Sequence, residues 1–352
     1  MKNLKKLPFI LSILSFLTLF TSANAEIKVV VSIKPIHSLA SYLMEGVGTP
    51  NLIVDGYASP HGFAMKPSHA KMLQEADLIF WVGEGLENFL EKPLKSIARK
   101  AEKIELLEIK ALKKLKFREK NIFDEHDDHG HKEDEHDDHG HEEDGHKEDD
   151  HDNHDNHDDH GHEEDGHKED DHDNHDDHGH EDHAHGDYDP HIWLDPINAK
   201  TILNEMVEHL IENDEKNAPI YKKNLDKALR DIDKLISEVK SELNKDISFI
   251  VFHDAYQYFE ERFNVTVLGA FTVNTDVMPG AEQLSEIREI IEHDKISCIF
   301  SEPQFNPDII KTVAKDMEIK TGVLDPLGAT IDSGKDLYFD LIRNMSKSFK
   351  GC

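Results

Sequence analysis

Residues 124–187 carry almost nothing that can be buried, and this decides where the chain can fold. The stretch holds 31 acidic residues, three lysines and 19 of the chain's 26 histidines. The string HGHEEDGHKEDDHDNH occurs at 139–154 and again at 160–175, a duplication offset by 21 residues. Without apolar side chains such a segment cannot offset the entropy of ordering its own backbone, so it is expected to be disordered in the absence of metal. Any fold must come from the two flanks.

The charge follows the same division. The whole chain has a formal net charge of −33, and the insert supplies 3 − 31 = −28 of it, leaving −5 for the remainder. The foldable part is therefore nearly balanced and offers no basic face of the kind that neutralises phosphates, so nucleic-acid binding is not expected.

At the amino end, the basic MKNLKK leads into 14 largely apolar residues, 7–20, and then into Ala23-Asn24-Ala25. A basic start, a short apolar core and an A-x-A end read as a secretory signal peptide, residues 1–25, cleaved after Ala25. The apolar run falls short of the roughly 20 residues that span a bilayer. No cysteine stands at the junction to take a lipid. The mature chain is expected free in the periplasm. Export places the two cysteines, Cys298 and Cys352, in an oxidising compartment, where a structural disulfide between them is the expected state.

About 260 residues remain, enough for two lobes of ordinary size. Residues 27–33 (IKVVVSI) and 78–83 (LIFWVG) read as strands buried on both faces, with a helix over 67–76 between them. Strand, helix, strand implies a parallel sheet. Beyond the insert, 196–212 and 218–245 carry helical periodicity. The later residues alternate again: strands at 247–252, 265–271, 297–301 and 320–325, helices at 281–292 and 307–317. The expected fold is α/β, two lobes each with a mainly parallel sheet flanked by helices, joined by one long helix. The divisions are a first lobe over 26–212, a linking helix over 213–245 and a second lobe over 246–352.

Histidine at nearly every third position of the insert exceeds what solubility requires, and imidazole suits Zn²⁺, Cu²⁺ and Ni²⁺. In a flexible segment these would be several weak, exchangeable sites, each ordered only when filled. A defined shell needs the ordered lobes, which hold seven histidines: His37, His61, His69, His191, His209, His253 and His293. His61 (SPHG), His191 (DPHIWLDP) and His253 (FHDAY) stand at strand ends or in loops, where ligands of open α/β folds gather. His69, His209 and His293 fall in helical patterns that suit surface or capping roles. His37 follows the first strand, and its role is open.

The stretches SIKPIHSLA, SPHGFAMKPSHAKMLQEADLIFWVGEGLE, DPHIWLDPINA, FHDAYQYFE, SEPQF and LDPLG together resemble the periplasmic zinc receptors of ABC zinc-uptake systems (ZnuA-like), within the wider cluster of metal-binding receptors. They span nearly the whole mature chain outside the insert. The resemblance implies a metal site in the cleft between the lobes, with His61, His191 and His253 as ligands. Pro60 stands where some relatives place an acid, so the fourth position falls to water or to a second-lobe carboxylate, Asp325 first and Glu302 second. Manganese receptors of the cluster have a carboxylate where this chain has His253. A nitrogen-rich shell favours Zn²⁺ over Mn²⁺.

The implied role is a receptor, not an enzyme, that captures Zn²⁺ as a monomer and hands it to an inner-membrane ABC permease. The insert would serve as an accessory collector. The alternatives are a periplasmic metal buffer and a three-histidine zinc hydrolase.

Overall fold

The structure, a computed structural model, describes residues 26–122, 187–243, 248–275, 277, 279–294, 296, 298–315 and 317–351. The signal peptide, the insert up to residue 186 and Cys352 lie outside the described residues.

The first sheet is built from β1 (Val29–Ile33), β2 (Asn51–Val54), β3 (Leu78–Trp81) and β4 (Glu102–Glu105). They pair in the order β2-β1-β3-β4, every pair parallel. All five residues of β1 and all four of β3 are buried, as continuous apolar runs in the middle of a parallel sheet require. β4, with the sequence EKIE, is a charged edge strand without the apolar signature that identifies its neighbours. Helices α1 (Lys34–Leu43), α2 (Pro67–Glu75) and α3 (Glu84–Ser96) connect these strands.

Two helices follow. In α4 (Pro196–Asn213), Asp195 caps the start by accepting from the Ile197 amide at 2.8 Å, with Pro196 in the first turn. The long helix α5 (Ala218–Glu242) packs against α1 and α4. The second sheet contains β5 (Ser248–His253), β6 (Thr266–Thr272), β7 (Cys298–Ser301) and β8 (Lys320–Val323), with α6 (Gln257–Phe263), α7 (Ala281–His293) and α8 (Asp308–Ala314) between them. Its order, β6-β5-β7-β8, is again all parallel and repeats that of the first sheet. Helix α8 stops three residues short of the end of the 307–317 span that the sequence suggests, and Pro307 serves as its cap. In both sheets the chain leaves the first strand to one side and returns on the other, the topology that opens a crevice at the carboxyl ends of the strands.

The two sheets share one apolar core. Along β5, Phe249 and Val251 face this common core, while Ile250 and Phe252 face a smaller one with Ile287, Ile299 and Ile310. The period of two is the alternation of a pleated strand. The last helix, α9 (Leu337–Gly351), packs on both α1 and α5. The Tyr338 amide donates to Ser38 Oγ at 2.9 Å, and its hydroxyl donates to the Trp193 carbonyl at 2.9 Å. At its far end Phe349 stacks on Phe259 at 5.4 Å and meets Phe249 at 4.9 Å and Phe300 at 5.4 Å. Across the lobes, the buried Lys34 ammonium donates to the Ala329 and Ile331 carbonyls. Among the described residues no helix is long and apolar enough to cross a membrane.

Phe349→Ala is expected to remove about 3–5 kcal/mol of stability, the usual cost of emptying a fully buried aromatic site. Reversible urea unfolding followed by circular dichroism reads this as a lower midpoint at unchanged slope.

Candidate metal centre

The crevice between the lobes receives one histidine from each of three places. His253 is the last residue of β5. His191 precedes a single tight turn, Ile192–Leu194, that leads into α4. His61 lies in the loop beyond β2, its amide donating to Ser59 Oγ at 3.3 Å. Nitrogen atoms of the three rings all lie within 4.8 Å of one another. His191 Nε2 and His253 Nε2 are 3.3 Å apart, and the ring centroids are separated by 5.1–5.8 Å. The pocket that they line, walled by Leu86, Trp193, Phe305, Pro326 and Leu327, encloses ≈ 10 Å³, room for a single water or ion.

Two of the rings are locked from behind. His191 Nδ1 donates to Asp189 Oδ1 at 2.6 Å, and the His191 amide donates to the same oxygen at 2.9 Å. Asp189 is fully buried and is itself fixed: its amide donates to the Leu115 carbonyl at 2.8 Å, and its carbonyl accepts from the Tyr258 hydroxyl at 2.7 Å. His253 Nδ1 donates to Glu302 Oε1 at 2.7 Å, which also accepts from the Tyr256 hydroxyl at 2.9 Å. Each Nδ1–H thus meets a carboxylate, which leaves Nε2 to face the crevice. This carboxylate–histidine pairing is how ligating imidazoles are oriented and made more basic.

The two rings differ in basicity. Burial, with the neighbouring His253, holds His191 well below its ordinary pKa, so that it stays neutral. Burial also pushes His253 down, but the Glu302 carboxylate beside it, helped by Asp254 and Asp189, outweighs that and leaves it raised. Burial lifts Asp189 to about 7 against the opposing His191 amide, His253 and Arg118. Three nitrogen donors converging on a space of this size in an apolar wall form a shell suited to tetrahedral Zn²⁺.

Of the carboxylates named from sequence, neither joins the group of converging ligand atoms. Asp325 Oδ1 accepts from Gln304 Nε2 at 3.1 Å and from the Leu327 amide at 3.3 Å, while its Oδ2 is buried without a hydrogen bond. Glu302 stands behind His253, with Oε1 engaged and Oε2 buried without a hydrogen bond. Cys298 is buried at the start of β7, and its expected partner Cys352 lies outside the described residues.

The remaining histidines have other occupations. His37 bonds the Pro50 carbonyl at 3.0 Å. His69 Nδ1 accepts the Lys66 amide at 3.1 Å at the start of α2, a capping role. His293 is exposed beside Asp294. His209 pairs with Glu102 at 2.8 Å and Glu205 at 3.4 Å. With Glu102 and Glu212 it forms a second convergence of ligand atoms, partly exposed and holding one nitrogen donor, which these ion pairs account for.

The orienting role of Asp189 is legible in hindsight from D-P-H, an acid two residues before a ligand-like histidine. That of Glu302 depends on β7 lying beside β5 and has no local signal.

The chain matches the family described as ZnuA, zinc-uptake complex component A, periplasmic, over residues 29–352. It is 43% identical to the high-affinity zinc uptake system protein ZnuA of Brucella abortus (strain 2308), covering 100% of this chain and 99% of the relative. To the protein of the same name from Yersinia pestis it is 33% identical over 93% and 92% of the two chains. Among solved structures, a ZnuA deletion mutant with zinc bound superposes with a TM-score of 0.66 at 18% identity, covering 93% of this chain and 97% of that one, a likeness of fold.

Asp189→Asn and Glu302→Gln are each expected to weaken binding of a divalent ion at this centre about 10–100-fold while leaving the chain folded. Chelator competition titrations read the change, with wild-type affinity in both variants as the contrary result.

Proposed function

This chain belongs to the ZnuA family of periplasmic zinc-uptake components, and we propose that His61, His191 and His253 are the ligands that hold its Zn²⁺ cargo in the crevice between the lobes. The observation that carries this reading is the convergence of three imidazole nitrogens within 4.8 Å, two of them backed by buried carboxylates. The protein is a zinc-binding receptor of an uptake system. The fourth position goes to water, because among the described residues no carboxylate oxygen converges with the three nitrogens.

Hand-over follows from where the ligands sit. His61 hangs on the first lobe and His253 on the second, so a small parting of the lobes separates two donors at once and releases the ion to a permease in the inner membrane. Export by cleavage after Ala25, a monomeric receptor, a Cys298–Cys352 disulfide and the insert as an accessory collector complete the proposal. The disulfide is supported by the end of α9, where Phe349 packs on Phe249 and Phe300, because Phe249 pairs with Cys298 across β5 and β7. A carrier role, in place of hydrolysis, is supported by Asp189, whose carboxylate is engaged in orienting a ligand histidine and is not placed to activate water.

Calorimetric titration tests the ligand set. His61→Ala, His191→Ala and His253→Ala should each abolish the single tight site, a larger loss than the 10–100-fold expected of an orienting carboxylate. Retention of that site in any one of them removes that residue from the shell. Deleting residues 124–187 should leave the tight site and eliminate several weaker ones, so loss of the tight site would show instead that the insert supplies ligands.

Proton competition gives a further expectation. His253 has a raised pKa in the zinc-free protein, so it gains a second proton first as pH falls, and that proton must leave Nε2 before zinc can bind. Affinity should therefore be highest at alkaline pH and fall about tenfold per unit once the pH is below the pKa of His253. His191, held neutral, should add nothing to this slope. Competition titrations from pH 8 to 5.5 measure it, and a flat profile would contradict His253 as a ligand.

A further inference from the structure

One half-buried cation near the centre has no part in the shell described above. Arg118 stands on the stretch that follows Leu115 and runs along the second lobe. Lys116 there bridges Tyr188 and Ile122 bridges Gly269 of β6, while Asn121 Nδ2 donates to the Ala270 and Phe271 carbonyls at 3.2 and 2.7 Å. The guanidinium turns inward. One terminal nitrogen donates to Asp254 Oδ1 at 3.0 Å and to Glu260 Oε1 at 3.1 Å, and the other to Glu260 Oε2 at 3.0 Å. Both carboxylates are buried, with exposures of 4% and 9%.

Asp254 is the residue after His253, and its amide donates to the Thr272 carbonyl at 3.2 Å. Its second oxygen accepts from Gln257 Nε2 at 3.4 Å. The same nitrogen donates to Asp189 Oδ2 at 3.1 Å, and Asp189 Oδ1 holds the Nδ1 of His191. An unbroken path of polar contacts therefore runs from Arg118 through Asp254, Gln257 and Asp189 to His191, and its second member also adjoins His253. A planar fork that satisfies two carboxylates together is a task for Arg, since Lys offers a single point charge. Carboxylates buried this far without their cation would be costly and would rearrange.

We propose that Arg118 is a positioning residue of the zinc site: it fixes Asp254 and Glu260, and through Asp254 and Gln257 it sets the Asp189 carboxylate that orients His191. This rests on His61, His191 and His253 being the ligands. A staple that merely fastened residues 115–122 to the second lobe would lower the melting temperature and leave the ligand geometry unchanged.

The test uses the full chain, zinc affinity by chelator competition, and one equivalent of Co²⁺, whose visible bands report the geometry of the shell. Arg118→Met should weaken the tight site about 10–100-fold, the range for an orienting partner, and shift the Co²⁺ bands. Arg118→Lys, which returns the charge without the fork, should recover part of both. Gln257→Leu cuts the same path at a second point while leaving the Arg118–Glu260 pair, and should shift the bands likewise even if Arg118→Met fails to fold. Zinc affinity within twofold of the parent and unchanged bands in Arg118→Met, or in Gln257→Leu where Arg118→Met does not fold, would overturn the inference. His61→Ala keeps the two ideas apart. If it retains the tight site, the ligand assignment itself fails, whereas its loss alongside an unaffected Arg118→Met and Gln257→Leu defeats only the role of Arg118.

Discussion

Imidazoles do not gather out of water unless something holds them. Bringing His191 and His253 to a 3.3 Å separation of Nε2 atoms, within hydrogen-bonding reach of each other, takes both rings out of bulk water. The arrangement persists because each ring is hydrogen-bonded on its far side to a buried carboxylate, Asp189 or Glu302, which fixes the tautomer and aims the remaining lone pair inward. Those carboxylates need anchors of their own, and they have them in Gln257, the Tyr256 hydroxyl and the backbone amide of His191. Much of the second lobe's polar interior is thus organised backwards from the requirement that three nitrogens point at one spot.

The lobes must hold this arrangement without being welded around it. Continuity of the core across both sheets, reinforced by α9 lying on α1 and α5, keeps them in register. Specific polar ties sit beside the site. Trp193 Nε1 donates to the Pro326 carbonyl at 2.8 Å, and the Tyr338 hydroxyl donates to the Trp193 carbonyl, so the residue two positions after His191 is held by the second lobe and by α9 together. Asp195, two positions further on, caps α4 and is gripped by Arg262 through contacts of 2.6 and 2.7 Å. The DPHIWLDP motif is therefore a bracket. Its histidine faces the crevice, while Asp189, Trp193 and Asp195 fasten the first lobe to the second.

What could be read from the sequence follows from how local each signal is. β1 and β3 announce themselves because a central parallel strand must be apolar on both faces, and α5 because its stripe runs for 25 residues. β4 is invisible in EKIE, since an edge strand is free to be charged, and α9 carries its meaning only through partners some 300 positions away, as Tyr338 does with Ser38. The three histidines could be singled out by their places at a strand end or in loops. The surroundings of Asp325 have no signal in the sequence, because its first oxygen accepts from Gln304 and from the Leu327 amide, contacts that exist only once β7 and β8 are paired.

The electrostatics explain why such a crevice wants a doubly charged guest. Asp189, Asp254 and Glu260 are each raised to about 7, chiefly by burial, and Glu302 is buried with them. Against these four acids Arg118 supplies one fixed cation, so with all of them ionised the group stands at +1 − 4 = −3. Neutral imidazoles carry no compensating charge, but they transmit the field of the carboxylates behind them to their inward nitrogens. A dication bound there relieves the burial cost of the acids while the apolar wall of Leu86, Trp193 and Phe305 keeps water from screening the attraction. On the proposed ligand set, the imidazoles choose the element by their softness and number. The buried acids behind them set how strongly any dication is held, and they do so without touching it.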